Sequence, residues 1–233
     1  MSNTDTHERY YLELAAAFVR GKLGGGEQQS ADLWLKPLNE LSVGEQEQLY
    51  QLGLRSGVRM HKFKRTMALA RVQRVFGILK ELQPESLLDI GSGRGAFLWP
   101  LLTEFPDLAI TAIDQRQDRV NDILAVRKGG VDRLQAHAMD GCHLRFAHQT
   151  FDVVTLLEVL EHISEAQKAV DEAVRVARRC VIISVPSKAG DNPEHIHLLS
   201  KERLHSMLAA AGARVSFETV LNHIIAVSMI RHD

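Results

Sequence analysis

The stretch Ser86 to Leu98, SLLDIGSGRGAFL, constrains this chain more than any other. Leu87-Leu88-Asp89-Ile90 is an apolar run too short for a helix and closed abruptly by glycine, which predicts a buried strand. Gly91, Gly93 and Gly95 then let the backbone turn tightly and lie against a ligand, an approach that a Cβ would block. The apolar residues that follow predict a helix over 95–104, with its free N–H groups and positive dipole end facing the turn. Strand, glycine turn and helix in this order make a nucleotide-type cradle.

Spacing narrows the ligand. The dinucleotide fingerprint G-x-G-x-x-G serves a pyrophosphate. Here the pattern is D-x-G-x-G-x-G, and the buried carboxylate of Asp89 would repel a pyrophosphate and suit a cationic ligand. On these residues the chain resembles the class I S-adenosylmethionine-dependent methyltransferases, over about residues 84 to 231. The resemblance implies that Asp89, Gly91, Ser92, Gly93 and Gly95 hold the amino-acid part of S-adenosylmethionine.

Later segments fit the same resemblance in order. Leu108 to Ile113 predicts a second strand ending in Asp114, about twenty residues past the glycines, where a carboxylate can take both ribose hydroxyls. The resemblance gives Asp114 that role, with Gln115 beside it, although Asp114 also suits the N-cap of a helix over 116–127. A third strand over 131–138 leads to Asp140, the candidate for the adenine amino group, which reads equally as a turn aspartate. Phe151 to Leu157 predicts a buried fourth strand that delivers Glu158-Val159-Leu160-Glu161-His162 to the cleft. Ser164-Glu165-Ala166-Gln167 has the form of a capping box, and its helix carries Ala169, Val170, Ala173, Val174 and Ala177 on one face. Cys180 to Val185 predicts a fifth strand, Ser200 caps a helix ending at Gly212, and 214–220 with 224–230 read as a closing hairpin. The expected fold is therefore a doubly wound, Rossmann-like α/β sheet of seven mostly parallel strands, with a C-terminal antiparallel hairpin and an N-terminal helical cap.

Residues 1–83 read as that cap or lid, packed on the cofactor-binding domain of residues 84–233. Tyr11, Leu14, Ala15 and Phe18 lie at helical spacing within 8–20. Gly24-Gly25-Gly26 reads as a flexible joint, since no strand precedes it and no GK[ST] follows. Residues 31–41, with Trp34 and Pro37, read as a turn or broken helix. Ser42-Val43-Gly44-Glu45 fits a capping box for a helix to about Arg55, and 66–82 forms a second long helix stopped by Pro84. Between them, Arg55 to Arg65 is the densest basic stretch, read either as a solvated face or as a clamp on an anionic substrate such as an RNA backbone.

Net charge of −1 carries no global argument for nucleic acid or membrane. Two cysteines, Cys142 and Cys180, make no disulfide framework. No apolar run approaches the ~20 residues of a membrane span, so a cytoplasmic enzyme without a membrane partner is expected.

Glu158, Glu161 and His162, with His195 or His197 from PEHIH, form a second constellation. Two carboxylates and one or two imidazoles suit Mg, Mn, Fe or Zn. A similar E-x-x-E-H occurs in the ubiquinone-biosynthesis O-methyltransferases and in the small-RNA 2′-O-methyltransferases, and also in methyltransferases without metal, where a histidine serves as general base. The leading expectation is methyl transfer to a hydroxyl of a small molecule, with Glu158, Glu161, His162 and His195 near the acceptor. An RNA 2′-O-methyltransferase using 55–65, a nicotinamide-dependent oxidoreductase and a non-catalytic cofactor-binding module are the alternatives.

Overall fold

A computed structural model describes residues 9–24, 31–65, 69–189, 192–209 and 214–230. Its centre is a seven-stranded sheet ordered β3-β2-β1-β4-β5-β7-β6. The strands are β1 (Ser86–Ile90), β2 (Ala109–Asp114), β3 (Leu134–Ala138), β4 (Phe151–Leu157), β5 (Ala177–Pro186), β6 (Arg214–Val220) and β7 (His223–Met229). The first five pair in parallel, and β7 runs antiparallel to both β5 and β6. This is the expected doubly wound sheet with its C-terminal hairpin.

Side chains of one strand alternate between two cores, as the period of two requires. Leu87, Ile110 and Ile182 enter one core, while Leu88, Ile113 and Ile183 enter the other. The first core is closed by α1 (Leu12–Leu23), α4 (Ala70–Leu82), α5 (Leu98–Glu104) and α6 (Gln117–Lys128). The second is closed by α7 (Ala166–Val176) and α8 (Lys201–Ala209). Two further helices, α2 (Ala31–Leu35) and α3 (Val43–Arg55), complete the N-terminal part. Both faces of the parallel strands are covered, which explains why β4 and β5 read as almost continuous apolar runs.

The N-terminal helices share this core. Phe63 stacks on Phe18 of α1 and on Trp99 of α5, with ring centroids 5.1 and 5.0 Å apart. The α1 backbone comes so close to the end of α6 that a Cβ on Gly129 would collide with the Ala17 carbonyl.

Several local expectations shift. The Ser42 box forms: its hydroxyl accepts from the Glu45 N–H at 3.3 Å, and the Glu45 carboxylate accepts from the Ser42 N–H at 2.7 Å. The Ser164 box does not. The chain leaves β4 through a 3₁₀ turn at Leu160–His162, so Glu165 becomes the cap of α7 and gives no side-chain cap. Ala177, expected on that helix, opens β5 instead. The helix expected from Gly95 starts at Leu98, because the glycine turn takes more chain. The third strand starts at Leu134, after a turn in which the Leu134 N–H donates to Val131. The helix ends expected at residues 8, 66 and 212, and the joint at Gly25-Gly26, lie outside the described residues.

Candidate active site

Strand order reverses between β1 and β4, and the crevice at such a switch point is where open α/β sheets bind ligands. A cavity of about 620 Å³ opens there, lined among others by Gly91, Gly93, Asp114, Asp140, Glu158 and His162.

Gly91, Gly93 and Gly95 all adopt left-handed backbone, at φ 73°, 58° and 85°. Gly95 is bound to glycine twice over, since a Cβ there would overlap the Trp99 indole. Asp89 sits beneath the turn, 3% exposed. Its Oδ1 accepts from Thr155 Oγ1 at 2.8 Å, and its Oδ2 is buried with no hydrogen-bond partner among the described residues. Burial raises the Asp89 carboxyl to about 6. Ser92, buried behind the turn, donates its hydroxyl to the Asp89 carbonyl at 3.2 Å. An orphaned carboxylate oxygen under three flexible turn residues is a socket for a cation's N–H donors.

Asp114 ends β2 at the cavity wall. Its Oδ2 accepts from the Gly93 N–H at 2.9 Å and pairs with Arg119 Nη1 at 3.2 Å. It does not cap α6, whose cap is Arg116; instead Oδ1 accepts from the Arg116 N–H at 2.9 Å. Asp140 accepts from the Cys142 N–H at 2.9 Å and from Gln115 Nε2 at 3.2 Å, and the backbone donor holds its carboxyl below the usual range.

The E-x-x-E-H residues part company. Glu161, His162 and His195 bring one ligand atom each within 4.8 Å of one another. Glu161 is 1% exposed, and neither carboxylate oxygen has a partner among the described residues. Burial, helped by the nearby Glu158 charge, raises it to about 7. His162 Nδ1 lies 2.9 Å from the Glu194 carbonyl, which only accepts, so Nδ1 carries a proton and donates it there. The His162 and His195 rings meet edge to face at 4.9 Å. The loop carrying His195 is pinned from below: the N–H groups of Ile196 and His197 donate to the Glu161 carbonyl at 2.9 and 3.3 Å. His197 Nε2 is also buried and unpartnered among the described residues.

Glu158 turns elsewhere. It adopts φ 59°, and its Oε1 accepts from Ser184 Oγ at 2.6 Å while Oε2 lies 3.1 Å from His223 Nε2. Arg71, from α4, stands 3.8 Å from Oε1. Thr155, Arg119, Ser184, His223 and Arg71 complete the site without having been singled out in the sequence. Thr155 and Ser184 leave a trace there, as lone hydroxyls inside the apolar strands FDVVTLL and CVIISVP.

Residues 88–183 match the family model described as a methyltransferase domain. Residues 88–183 form a methyltransferase domain. Its fold is shared with a SAM-dependent methyltransferase from Aquifex aeolicus, at 21% identity and a TM-score of 0.56, over 71% of this chain and 100% of that one. The methyltransferase domain of bacterial CtHen1-C aligns at 19% identity and a TM-score of 0.58, over 70% and 98% of the two chains. An O-methyltransferase family protein from Burkholderia thailandensis aligns at 17% identity and 0.54, over 69% of this chain and 57% of that one. S-adenosylmethionine is the cofactor that the sequence resemblance implies, and the residues present would fit it: Asp89 Oδ2 offers the unpaired acceptor that an ammonium requires, and the glycine turn leaves room for the backbone to approach. Among the described residues no helix is long and apolar enough to cross a membrane.

Proposed function

We propose that this methyltransferase moves its methyl group to a hydroxyl oxygen of a small acceptor, and that the cluster of Glu161, His162 and His195 removes the hydroxyl proton. The carrying observation is the His162 ring, fixed by the Nδ1 contact to the Glu194 carbonyl and clustered with His195 and the buried, unpartnered Glu161 carboxylate. S-adenosylmethionine, when bound, would supply the methyl group, its carbon–sulfur bond breaking with the electron pair left on sulfur as the acceptor oxygen takes the carbon. Meanwhile the hydroxyl proton passes to His162 Nε2, where the Glu161 charge stabilises the imidazolium. Sulfonium is already a good leaving group, so alignment and water exclusion supply most of the remaining rate. Asp89, Asp114 and the glycine turn provide the alignment.

The same three donors favour a second reading, in which they hold a divalent cation. Two buried carboxylate oxygens without partners are costly unless a proton or cation sits on them. Glu161, His162 and His195 suit Mn, Fe, Zn or Mg, and a bound ion would lower the pKa of an acceptor hydroxyl. His162 Nδ1 anchored on a backbone carbonyl is the usual outer support for such a ligand.

A labelled-methyl screen over catechols, other phenols and sugar alcohols, with mass spectrometry of the product, tests the proposal. Methylation on oxygen, reduced at least 100-fold in His162→Gln, is the expected result. A product methylated on nitrogen or carbon overturns it. Elemental analysis of purified protein and chelation before assay separate the two readings: activity that survives complete metal removal excludes the second.

A further inference from the structure

The basic stretch at 55–65 is divided by the fold. Lys62 crosses to α6, where it pairs with Asp122 and lies 4.7 Å over the Phe18 ring. Arg65 stacks on Tyr11 at 4.8 Å. Arg59 and His61 remain, and they line a groove of about 270 Å³ together with Arg94 of the glycine turn and with Arg116 and Arg119 at the start of α6.

Charge pairing accounts for most of these cations. Asp122 pairs with both Lys62 and Lys22, Asp118 pairs with Arg116 at 2.8 Å, and Asp114 holds Arg119 at 3.2 Å. Arg59 and Arg94 are left over, with no carboxylate partner among the described residues. Two uncompensated guanidinium groups lining one groove create a local positive potential in a chain whose net charge is only −1. Guanidinium forks from two separate segments, the glycine turn and the 55–65 stretch, match a group with several acceptor oxygens, as a phosphate has.

We propose that this groove is a binding site for a phosphate group, with Arg59 and Arg94 as its principal contacts. The site is separate from the catalytic cluster and does not depend on which acceptor is methylated. Gly93 and Arg119 line both the groove and the cofactor cleft, so an occupant lies against the wall that carries Asp114. The phosphate belongs either to a free phosphate ester or to a nucleic-acid backbone, two sources that titration distinguishes.

The test is calorimetric titration of the full chain, saturated with S-adenosylhomocysteine, at low and moderate salt. The probes are inorganic pyrophosphate, a 5′-phosphorylated oligoribonucleotide, and succinate as a carboxylate control. Saturable pyrophosphate binding that weakens roughly 10-fold or more in Arg59→Ala/Arg94→Ala supports the site and a free phosphate source. Binding of the oligoribonucleotide alone, steeply salt-dependent and with the same dependence on both arginines, supports the site and a backbone source. An unchanged thermal midpoint and an unchanged far-ultraviolet circular dichroism spectrum show that the variant is folded. The proposal is overturned if neither phosphate probe binds, if the double variant binds as tightly as wild type, or if succinate binds as well as pyrophosphate.

Discussion

Ser184 on β5 donates its hydroxyl proton to Glu158 at the end of β4, across 2.6 Å. That bond, with His223 at 3.1 Å on the other oxygen, holds a glutamate in left-handed backbone at φ 59°. Such a conformation costs about 1 kcal/mol or more outside glycine and persists where surrounding contacts over-determine it. Three strands therefore cooperate to aim one carboxylate at the cofactor cavity.

Ser184→Ala is expected to lower turnover about ten-fold, because Glu158 loses a charge-assisted partner. His223→Gln, which keeps a donor, should lose less. Metal content, if any, should be unchanged in both, since Glu158 stands apart from Glu161, His162 and His195. Wild-type turnover and cofactor affinity in Ser184→Ala would remove this role.

Asp89 is expected to set an acid limit on binding of the adenosyl ligand. Its folded value is raised to about 6, whereas an unfolded aspartate titrates at about 4. The folded apo protein thus binds the extra proton between these values, and its stability from this group falls as pH rises through that window. An ammonium ligand needs the ionised form. Affinity for S-adenosylhomocysteine should weaken about ten-fold from pH 7 to pH 5, and Asp89→Asn should flatten the profile while lowering affinity throughout. An equally steep profile in Asp89→Asn would assign the effect to another group.

Glu161 trades stability for chemistry. Replacing a buried, unpartnered carboxylate by an apolar residue of similar volume relieves desolvation, so Glu161→Leu should stabilise chelator-treated protein by roughly 1 to 3 kcal/mol. Its thermal midpoint should rise by several degrees as turnover disappears. Differential scanning calorimetry beside the methyl-transfer assay checks both, and a lowered midpoint would mean that Glu161 has a structural partner.

Gly95→Ala should destabilise the fold by roughly 2 to 4 kcal/mol, from left-handed strain and overpacking together. The added Cβ meets the Trp99 indole, whose N–H donates to the Arg94 carbonyl at 2.9 Å and whose ring stacks on Phe63. Thermal unfolding within a degree of wild type would show that Trp99 can yield.

The glycine turn and the carboxylate beneath it were legible because they are local. Asp89, Gly91, Gly93 and Gly95 are fixed by one strand and one turn, so their spacing alone encodes where they lie. Asp114 was harder: its position at a strand end was readable, but its engagement by the Gly93 N–H and Arg119 depends on how α6 packs. The Ser164 box failed for a similar reason. A capping pattern describes only a few residues, and the 3₁₀ turn before it set a different entry angle.

By itself the sequence determined the alternation of strands and helices, the glycine turn and the carboxylates at the strand ends, since these follow from short-range periodicity and backbone sterics. Only the tertiary structure decided that Glu158 faces Ser184 and His223 while Glu161 gathers His162 and His195. Those partners lie between 26 and 65 residues apart for Glu158, as the numbering of Ser184 and His223 shows. Contacts over such separations are set by the pairing of β4 with β5 and of β5 with β7, and no local pattern records that pairing.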